Sequence, residues 1–510
     1  MADFEQMRKD YPVFQYLQYQ TEPTEAGMRI RYTFIQKKRS PDGVADFRTF
    51  TPTWDIPFSY TAYQNNEHKE WIEKTIFFLG CIELISYWKC CCSPTVEILC
   101  GTISDYANGW LKKLFFNGLG EFFYRNQIHT TIDQFMQIGS VPQTQQKITF
   151  EDNEKTTSSN KDLSTTKQVQ ARGISEEKLI DSSTSEKSDS SYGQAHNSNS
   201  PFSGYLIPVG GGKDSVVTME LMRSHHDQSD CFVINLTGAP VQTAHAAGFS
   251  DHNICRFQRN LDLQIIQMNK DGFFNGHTPF SAIVAFSAYL CALFKKKKYI
   301  VLSNESSAND TYVKGTTINH QYSKSLEFEN DFRQFCNREL TSQIEYFSLL
   351  RPLNEWNIVK IFTQYPRYLD IFKSCNLGSK QNIWCAKCSK CLFTYIMLAP
   401  FVAEEQLVAV FGKNLLNDEE MIQFFDGLVC DQFDKPFECI GTRDEINTAL
   451  TKTIDRYEAE QKELPLLLQI YKHSYYDPYF DMSEVERYFD PDNNVPAFLK
   501  EELQWDSNKI

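Results

Sequence analysis

Short apolar runs alternate with longer helical patterns in the second half of the chain. Between residues 202 and 450 the short runs have the length of buried strands, and the longer stretches repeat apolar residues with the period of a helix. The strand-like runs are 204–209, 231–236 and 299–303, and the helical stretches are 215–223, 279–294 and 354–364. This alternation is typical of a parallel sheet with helices on both faces. We therefore predict an α/β, parallel doubly wound fold, with ligands bound at the carboxyl ends of its strands.

The rest of the chain has three other patterns. Residues 1–137 begin with strand-like segments and continue with aromatic helical segments, which predicts an N-terminal α+β domain. Residues 138–201 are rich in serine and threonine and poor in apolar residues. They cannot bury enough surface to offset the entropy of ordering, so we predict a disordered linker or insertion. Residues 451–510 form a tail that is charged and helical at first and aromatic later.

Composition and charge narrow the class of protein. The net charge is −14, which argues against general affinity for nucleic acid. The chain has 15 cysteines, an odd number, and its first residues do not have the pattern of a signal peptide. We therefore expect a reducing, cytoplasmic location rather than a disulfide framework. The uncharged segment 278–294 is slightly short for a membrane span and contains Pro279, so it is predicted to be a buried helix.

A glycine-rich loop follows the first strand-like run. It is not a Walker A motif, which requires Gly-x-x-x-x-Gly-Lys-Ser/Thr. It resembles the Ser-Gly-Gly-x-Asp-Ser loop of the PP-loop ATP pyrophosphatases, with Gly210 in place of the first serine. Such glycines let backbone N–H groups approach phosphates, and the residues that follow supply positive charge, an Mg²⁺ ligand and an anion-binding helix start. The predicted nucleotide-binding residues are Gly210, Gly211, Gly212, Lys213, Asp214 and Ser215. A glycine-rich turn without a ligand is the alternative.

Four cysteines with two close spacings lie near the end of the α/β region. They follow the pattern C-x9-C-x2-C-x2-C, with Lys387 and Lys390 among them. Four thiolates suit tetrahedral zinc, and no fifth ligand is evident, which favours a closed structural site. An iron–sulfur cluster and catalytic thiols for sulfur transfer are the alternatives. The predicted metal ligands are Cys375, Cys385, Cys388 and Cys391.

Three polar clusters lie in the same region. They are Asn-Gly-His at 275–277, Ser-Asn-Glu-Ser-Ser-Ala at 303–308, and the segment 319–329, which is dense in groups that bind anions and move protons. The second cluster follows a predicted strand, at the end of the sheet where ligands bind. His277 and His320 are candidate proton carriers, because histidine titrates near neutral pH. Each cluster alone is compatible with loop or cap chemistry, but three clusters beside a nucleotide loop favour a substrate site.

Taken in order, these segments resemble one family. The glycine loop, Asn-Gly-His and Ser-Asn-Glu-x-Ser-Ala are followed by Asn-His-Gln-x-Ser-Lys-Ser at 319–325, Arg-Pro-Leu at 351–353, Trp-Cys-x-x-Cys-x-Lys-Cys at 384–391 and Lys-Pro-Phe-Glu-Cys at 435–439. The N-terminal region adds Glu-Leu-Ile-Ser-Tyr-Trp-Lys at 83–89 and Gly-Leu-Gly-Glu-Phe-Phe-Tyr at 118–124. The chain is similar to the UDP-N-acetylmuramoyl-L-alanyl-L-glutamate epimerases, the MurL family, over about 75–450. The serine-rich segment departs from the family pattern.

The resemblance implies an isomerase of peptidoglycan precursor synthesis. The expected reaction inverts the terminal L-glutamate of a UDP-muramoyl dipeptide, consumes ATP with Mg²⁺, and releases AMP and pyrophosphate. Adenylation would neutralise the carboxylate and so make the α-proton easier to remove. We expect catalytic roles for His277, His320, Lys324 and Glu305, a nucleotide contact from Asn304, and substrate contacts from Arg351, Ser323 and Ser325.

Two other classes of function stay open. PP-loop ligases and RNA-thiolating enzymes also adenylate a carbonyl oxygen, although the acidic charge and the lack of a recognisable RNA-binding module or glutaminase signature count against them. A zinc-stabilised scaffold with an inactive nucleotide fold is the second alternative, supported only by Gly210. The oligomeric state is left open by the sequence.

Overall fold

The structure, a computed structural model, describes residues 3–39, 46–140, 200–235, 238–312, 316 and 318–504. Within these ranges the chain forms a mixed, mostly parallel α/β sheet covered by helices. The strands are β1 (Val13–Thr24), β2 (Gly27–Lys38), β3 (Asp46–Phe50), β4 (Thr53–Ile56), β5 (Thr95–Ile98), β6 (Gln137–Ser140), β7 (Tyr205–Pro208), β8 (Ser229–Ile234), β9 (Ile254–Asn260), β10 (Tyr299–Leu302) and β11 (Glu345–Ser348).

Some helices of the same ranges cover the two faces of this sheet, and others pack on those helices. They are α1 (Phe4–Asp10), α2 (Tyr60–Gln64), α3 (Lys69–Trp88), α4 (Asp105–Gly118), α5 (Gly120–Arg125), α6 (Lys213–Leu221), α7 (Ala239–Ala246), α8 (Gln264–Lys270), α9 (Phe280–Lys295), α10 (Leu326–Glu339), α11 (Glu355–Phe362), α12 (Ser389–Leu398), α13 (Glu404–Phe411), α14 (Ile422–Val429), α15 (Arg443–Ala459), α16 (Leu466–Ser474), α17 (Met482–Glu486) and α18 (Ala497–Glu502).

The parallel part of the sheet is built around β7. Its strands lie in the order β11, β10, β7, β8 and β9. The next strand in the chain, β8, lies on one side of β7, and β10 lies on the other side, so the strand order reverses at β7. In α/β sheets of this kind the ligand crevice lies at the reversal, beyond the carboxyl ends of the strands. The glycine loop after β7 and the polar cluster after β10 both lie at this position.

The N-terminal strands belong to the same sheet. The first half of β9 pairs with β8, and its second half pairs with β4 through residues 258–260. From β4 the sheet continues through the antiparallel strands β2 and β1, and β5 and β6 complete that edge in parallel with β1. The sheet therefore runs from the N-terminal residues into the parallel strands without interruption.

The two faces of the parallel strands belong to different hydrophobic cores. Leu206 and Ile300 are buried in the core that contains α3, α9 and the N-terminal strands, whereas Ile207 and Val301 are buried in the core that contains α6, α11 and α12. Successive strand residues point to opposite faces, so this alternation is expected for a sheet covered on both sides. The first core holds the N-terminal residues against the parallel strands.

A buried ion pair joins α3 to β9. The guanidinium of Arg259 donates to both oxygens of Glu83, at 2.9 and 2.7 Å, and Nε1 of Trp54 donates to the same carboxylate at 3.3 Å. Glu83 is fully buried. A bidentate pair has a defined geometry, so it sets the position of α3 relative to the strand that links the two parts of the sheet.

Most of the predicted elements in the α/β region are confirmed. The strand-like runs form β7, β8 and β10, and the helical stretches form α6, α9 and α11. Residues 280–294 of the uncharged segment lie in the helix α9, most of whose residues are buried. Among the described residues, no helix is long and apolar enough to cross a membrane.

The predicted linker and tail are described only in part. Residues 138–140 belong to β6, and residues 141–199 of the predicted linker lie outside the described residues. The helix α15 runs through residue 450, where we expected the tail to begin. Further along the tail, the carbonyl of Val485 accepts a hydrogen bond from Asn354 at 2.8 Å, so the tail packs beside the start of α11.

Candidate active site

The glycine loop joins β7 to α6 in a conformation that depends on one glycine. Gly211 has a φ of +79°, which favours glycine, and its carbonyl accepts a hydrogen bond from the N–H of Lys373 at 2.9 Å. A Cβ at this position would lie 2.5 Å from the backbone nitrogen of Pro240. Gly212 is the N-cap of α6, and Gly210 is exposed with open space around it. The predicted order of strand, loop and helix is confirmed.

An ion-paired group of Lys213, Asp214 and Glu355 lies next to the glycine loop. Lys213 is buried, and its Nζ contacts Asp214 and lies 2.5 Å from Oε2 of Glu355. Burial opposes the charged form of Lys213, but Asp214 and Glu355 raise its pKa above the usual value. Burial, together with Asp214 and Glu305, raises the pKa of Glu355. The side chain of Asp214 is 33% exposed, so it is the carboxylate of this group that a ligand can reach.

The loop after β10 is tied to α6 and to the end of β11. Thr218 donates to Oγ of Ser303 at 2.8 Å, and Nδ2 of Asn304 donates to the hydroxyl of the last residue of β11 at 3.1 Å. Glu305 is buried, and its Oε1 accepts a hydrogen bond from Ser307 at 3.4 Å. The predicted residues Asn304 and Glu305 thus belong to a loop that contacts α6, the helix that follows the glycine loop.

Two histidines and a glutamate from distant parts of the chain meet at one point. Nδ1 of His320 lies 2.5 Å from Oε2 of Glu121, and Nδ1 of His277 lies 3.6 Å from the same oxygen. The centres of the two imidazole rings are 4.5 Å apart. The other oxygen of Glu121, a residue of α5, pairs with Nε of Arg125 at 2.5 Å. The structure therefore brings the two predicted proton carriers together and adds a buried carboxylate.

Lys89, buried at the end of α3, holds the segment that contains His277. Its Nζ donates to the carbonyl of Gly276 and to the hydroxyl of Thr278, the latter at 2.7 Å. These contacts hold the residues on either side of His277. Burial lowers the pKa of Lys89 to about 8.

The pKa values of the two histidines are shifted in opposite directions by their surroundings. Burial and the neighbouring His320 lower the pKa of His277 to about 3. Burial also opposes charge on His320, but hydrogen bonds to Cys439 and Glu121 raise its pKa to about 9. At neutral pH His277 is therefore uncharged and His320 is an imidazolium ion.

Arg351 links two of the polar clusters from inside the protein. Its guanidinium is fully buried and donates to the carbonyls of Glu305 and Lys324, at 2.6 and 2.5 Å, and to the carboxylate of Glu329 at 3.2 Å. Because none of the side chain is exposed, this placement favours a positioning role over the predicted contact with substrate. The Nζ of Lys324 donates to Sγ of Cys439 at 3.1 Å.

Two of the three predicted serines form part of a helix start. Oγ of Ser215 donates to the carbonyl of Gly212 at 2.9 Å, in the first turn of α6. Oγ of Ser325 accepts from the N–H of Phe328 at 3.1 Å and caps α10. Ser323, two residues earlier, is buried beside Lys324.

An open cleft of about 600 Å³ lies beside the histidines. Its lining includes Arg125, Ser389, Phe437 and Glu438. The ring of Phe437 lies 6.3 Å from that of His320 and 5.2 Å from the Arg125 guanidinium. The cleft is therefore lined by Ser389 of the cysteine-rich segment and by two residues, Arg125 and Phe437, that lie against the histidine cluster.

The four predicted cysteines are close together in space. The sulfur atoms of Cys375 and Cys388 are 3.9 Å apart, those of Cys385 and Cys391 are 3.7 Å apart, and those of Cys388 and Cys391 are 3.5 Å apart. All four sulfurs lie within 4.8 Å of one another. A tetrahedral zinc ion with Zn–S bonds of about 2.3 Å requires sulfur separations of about 3.8 Å. The donors and their spacing fit such an ion.

The cysteine-rich segment also supports the glycine loop. Just before it, the N–H of Lys373 bonds to the carbonyl of Gly211. Within it, Oδ1 of Asn382 accepts from the N–H of Ala239 at 2.8 Å, at the start of α7. The folding of this segment is therefore coupled to the shape of the loop.

Family profiles match most of the chain. The profile of the MurL N-terminal domain matches residues 5–166 and 170–349, and that of the MurL C-terminal domain matches residues 371–474. The chain belongs to the MurL family. The resemblance predicted from the sequence motifs is confirmed.

Three curated MurL relatives align with about half of the chain, and each is named UDP-N-acetyl-alpha-D-muramoyl-L-alanyl-L-glutamate epimerase. The protein of Xanthomonas oryzae pv. oryzae is 37% identical over 268 residues, which are 51% of this chain and 58% of that relative. The Micromonospora protein is 36% identical over 252 residues, 48% of this chain and 56% of the relative. The Salinispora tropica protein is 34% identical over 252 residues, 48% and 54% of the two chains. The alignments therefore span little more than half the length of these relatives.

Four residues of this MurL site were not identified from the sequence. Glu121 and Lys89 carried a usable signal, because each is a charged residue in a mainly apolar helical segment. Cys439 belongs to the segment 435–439 that resembles the family, but nothing local in the chain shows that its side chain turns towards Lys324. Glu355 carried no signal, since nothing local shows that its side chain turns towards Lys213.

Replacing the shared carboxylate should change the titration of His320. In Glu121→Gln we expect the pKa of His320 to fall from about 9 toward the ordinary value, because the imidazolium loses a charged acceptor. The stability contributed by charged His320 is complete below the ordinary pKa of about 6.5 and is lost as the pH rises toward 9. The variant should therefore show a smaller decline, because only the contact with Cys439 remains to raise the pKa of His320. NMR titration of ¹³C-labelled histidine measures the pKa of His320. Denaturant unfolding at about pH 6.5 and about pH 9 measures the change in stability.

The assignment of the signals comes from His277→Gln and His320→Gln. Glu502→Gln is the matched control, because Glu502 pairs with His225 on the surface, at 2.8 Å, and should leave His320 unchanged. An unaltered His320 titration in Glu121→Gln would contradict the contact.

Proposed function

We propose that this protein is an ATP-dependent epimerase that inverts the terminal L-glutamate of UDP-N-acetylmuramoyl-L-alanyl-L-glutamate in peptidoglycan precursor synthesis. The observation that carries the proposal is a glycine loop at the reversal of the strand order together with two histidines that share one buried carboxylate. Lys324 connects them, because it interacts electrostatically with Asp214 of the loop and donates to Cys439, which bonds to His320. The names of the MurL relatives supply the substrate class.

The loop serves the nucleotide in this proposal. Its position at the reversal of the strand order supports a role in binding phosphates, with the backbone of Gly210 to Gly212 and the first turn of α6 as the anion site. Asp214, the exposed carboxylate, is suited to hold Mg²⁺. The PP-loop resemblance supports cleavage between the α- and β-phosphates, which transfers AMP to the glutamate carboxylate.

Adenylation explains why an epimerase would consume ATP. Removal of the α-proton from a free carboxylate would build a dianion, whereas the adenylate is neutral at that position. Proton removal on one face and return on the other then invert the centre, and hydrolysis of the adenylate frees the product. His320 is the proton donor best supported by its charge, and Glu121 holds it.

We further propose that the four cysteines hold a structural zinc ion. The sulfur separations and the four soft donors support zinc, and an iron–sulfur cluster is the alternative with the same ligands. When bound, the ion would cross-link the segment that supports the glycine loop. Two hydrogen bonds of the protein itself also attach this segment, one from the N–H of Ala239 to Asn382 at the start of α7 and one from the N–H of Lys373 to the carbonyl of Gly211.

The chirality of the product tests the proposed activity. The protein is incubated with ATP, Mg²⁺ and UDP-N-acetylmuramoyl-L-alanyl-L-glutamate, and the glutamate released by acid hydrolysis is resolved on a chiral column. We expect D-glutamate together with AMP and pyrophosphate. Gly211→Ala should abolish it, because the new Cβ would meet backbone at 2.5 Å and the residue has positive φ. Gly109→Ala is the matched control, since its Cβ meets nothing within 4 Å. Pyrophosphate release with only L-glutamate recovered would favour a ligase instead.

Metal analysis tests the zinc proposal. The purified protein should contain about one zinc per chain and lack the visible absorption of an iron–sulfur cluster. Cys388→Ser should lose the zinc and expose the loop segment to proteolysis, because one ligand is removed. Cys336→Ser, at a buried cysteine outside the cluster, should retain it. Bound iron and sulfide in place of zinc would contradict the proposal.

A further inference from the structure

The proposed reaction needs a base for the α-proton, and neither histidine suits that task. His277 has its pKa lowered to about 3 by burial and His320, so it is a weak base at neutral pH. His320 already carries a proton, because hydrogen bonds to Cys439 and Glu121 outweigh the effect of burial. General bases work best when their pKa lies near the working pH. The base should therefore be another group of the same cluster.

Cys439 has the contacts of an activated thiol. It follows α14 and lies where Lys324 donates to its Sγ at 3.1 Å, and it forms a hydrogen bond with His320. His320 is held in turn by Glu121 at 2.5 Å. Enzymes activate cysteine side chains by this arrangement, in which the thiol is hydrogen-bonded to a histidine and a carboxylate orients that histidine.

The charges around Cys439 favour its ionised form. Burial opposes ionisation, but Lys324, His320 and Lys390 lower the pKa of Cys439 to about 6. Tyr312 also faces this site, and its hydroxyl donates to the carbonyl of Glu438 at 2.8 Å. At neutral pH the pair is a thiolate beside an imidazolium ion.

On the basis of the proposed function, we infer that Cys439 and His320 are the two acid–base groups of the epimerisation. With the glutamyl Cα between them, the Cys439 thiolate removes the α-proton on one face and becomes a thiol. The His320 imidazolium donates its proton to the opposite face and becomes neutral imidazole. After the product leaves, the two side chains regain contact, and the proton passes from sulfur to nitrogen. The cycle is balanced and needs no further reactant.

Two other uses of the Cys439 thiol are distinguishable from proton removal. A thioester between Cys439 and the glutamyl group would make the thiol a nucleophile rather than a base. A purely structural thiol would affect binding and adenylation as much as proton transfer. Both alternatives predict other effects of a Cys439 substitution on the two half-reactions, adenylation and proton transfer.

The test separates adenylation from proton transfer in Cys439→Ser and Cys439→Ala. Adenylation is followed by the exchange of labelled pyrophosphate into ATP in the presence of the UDP-muramoyl dipeptide. Proton transfer is followed by the incorporation of deuterium from ²H₂O at the glutamyl Cα. We expect pyrophosphate exchange to persist within a few-fold and deuterium incorporation to fall about 100-fold or more. Cys430→Ala is the matched control, at another half-buried cysteine after α14, and should retain both activities.

The pH dependence of deuterium incorporation gives a second readout. A deprotonated thiol and a protonated imidazole are both required, so the rate should rise through about pH 6 and fall through about pH 9. Deuterium incorporation that survives in both Cys439 variants would overturn the inference, as would loss of pyrophosphate exchange in a folded variant or a substrate adduct on Cys439 detected by mass spectrometry. If the unmodified protein forms no D-glutamate, the proposed function itself fails instead.

Discussion

One buried carboxylate, that of Glu121, determines the organisation of the candidate active site. It comes from α5 in the N-terminal part of the chain, and it contacts both His277 and His320. A buried carboxylate remains charged only when it is paired. The ionised form of Glu121 therefore depends on the histidines and on Arg125, just as they depend on Glu121. Together with Cys439, the contact with Glu121 raises the pKa of His320 to about 9, whereas burial and His320 lower that of His277 to about 3. The proton chemistry of the site therefore depends on a residue that lies far from the glycine loop in the sequence.

The continuous sheet explains how such distant residues can be held in place. The pairing of β4 with β9 and the buried pair of Glu83 with Arg259 fix α3 against the parallel strands. Lys89, at the end of α3, then holds the residues on either side of His277 through the carbonyl of Gly276 and the hydroxyl of Thr278. The N-terminal residues are thus part of the site rather than an appended unit.

Local patterns in the sequence were sufficient for the parts of the site that are themselves local. The glycine loop, the four cysteines and the strand runs depend on residues close together in the chain, and each is found where we predicted it. Contacts such as Glu121 with His320 depend on the packing of whole elements, which no local pattern encodes. Arg351 illustrates the same limit, because its residue type was informative but its complete burial was not visible in the sequence.

We propose that ATP activates a glutamate carboxylate so that its α-proton can be removed. The most direct measurement is the ATP dependence of deuterium incorporation at the glutamyl Cα, followed by mass spectrometry in ²H₂O. We predict incorporation with ATP and none without nucleotide or with an analogue that has a methylene bridge between the α- and β-phosphates. Incorporation at the same rate in the absence of ATP would contradict the claim.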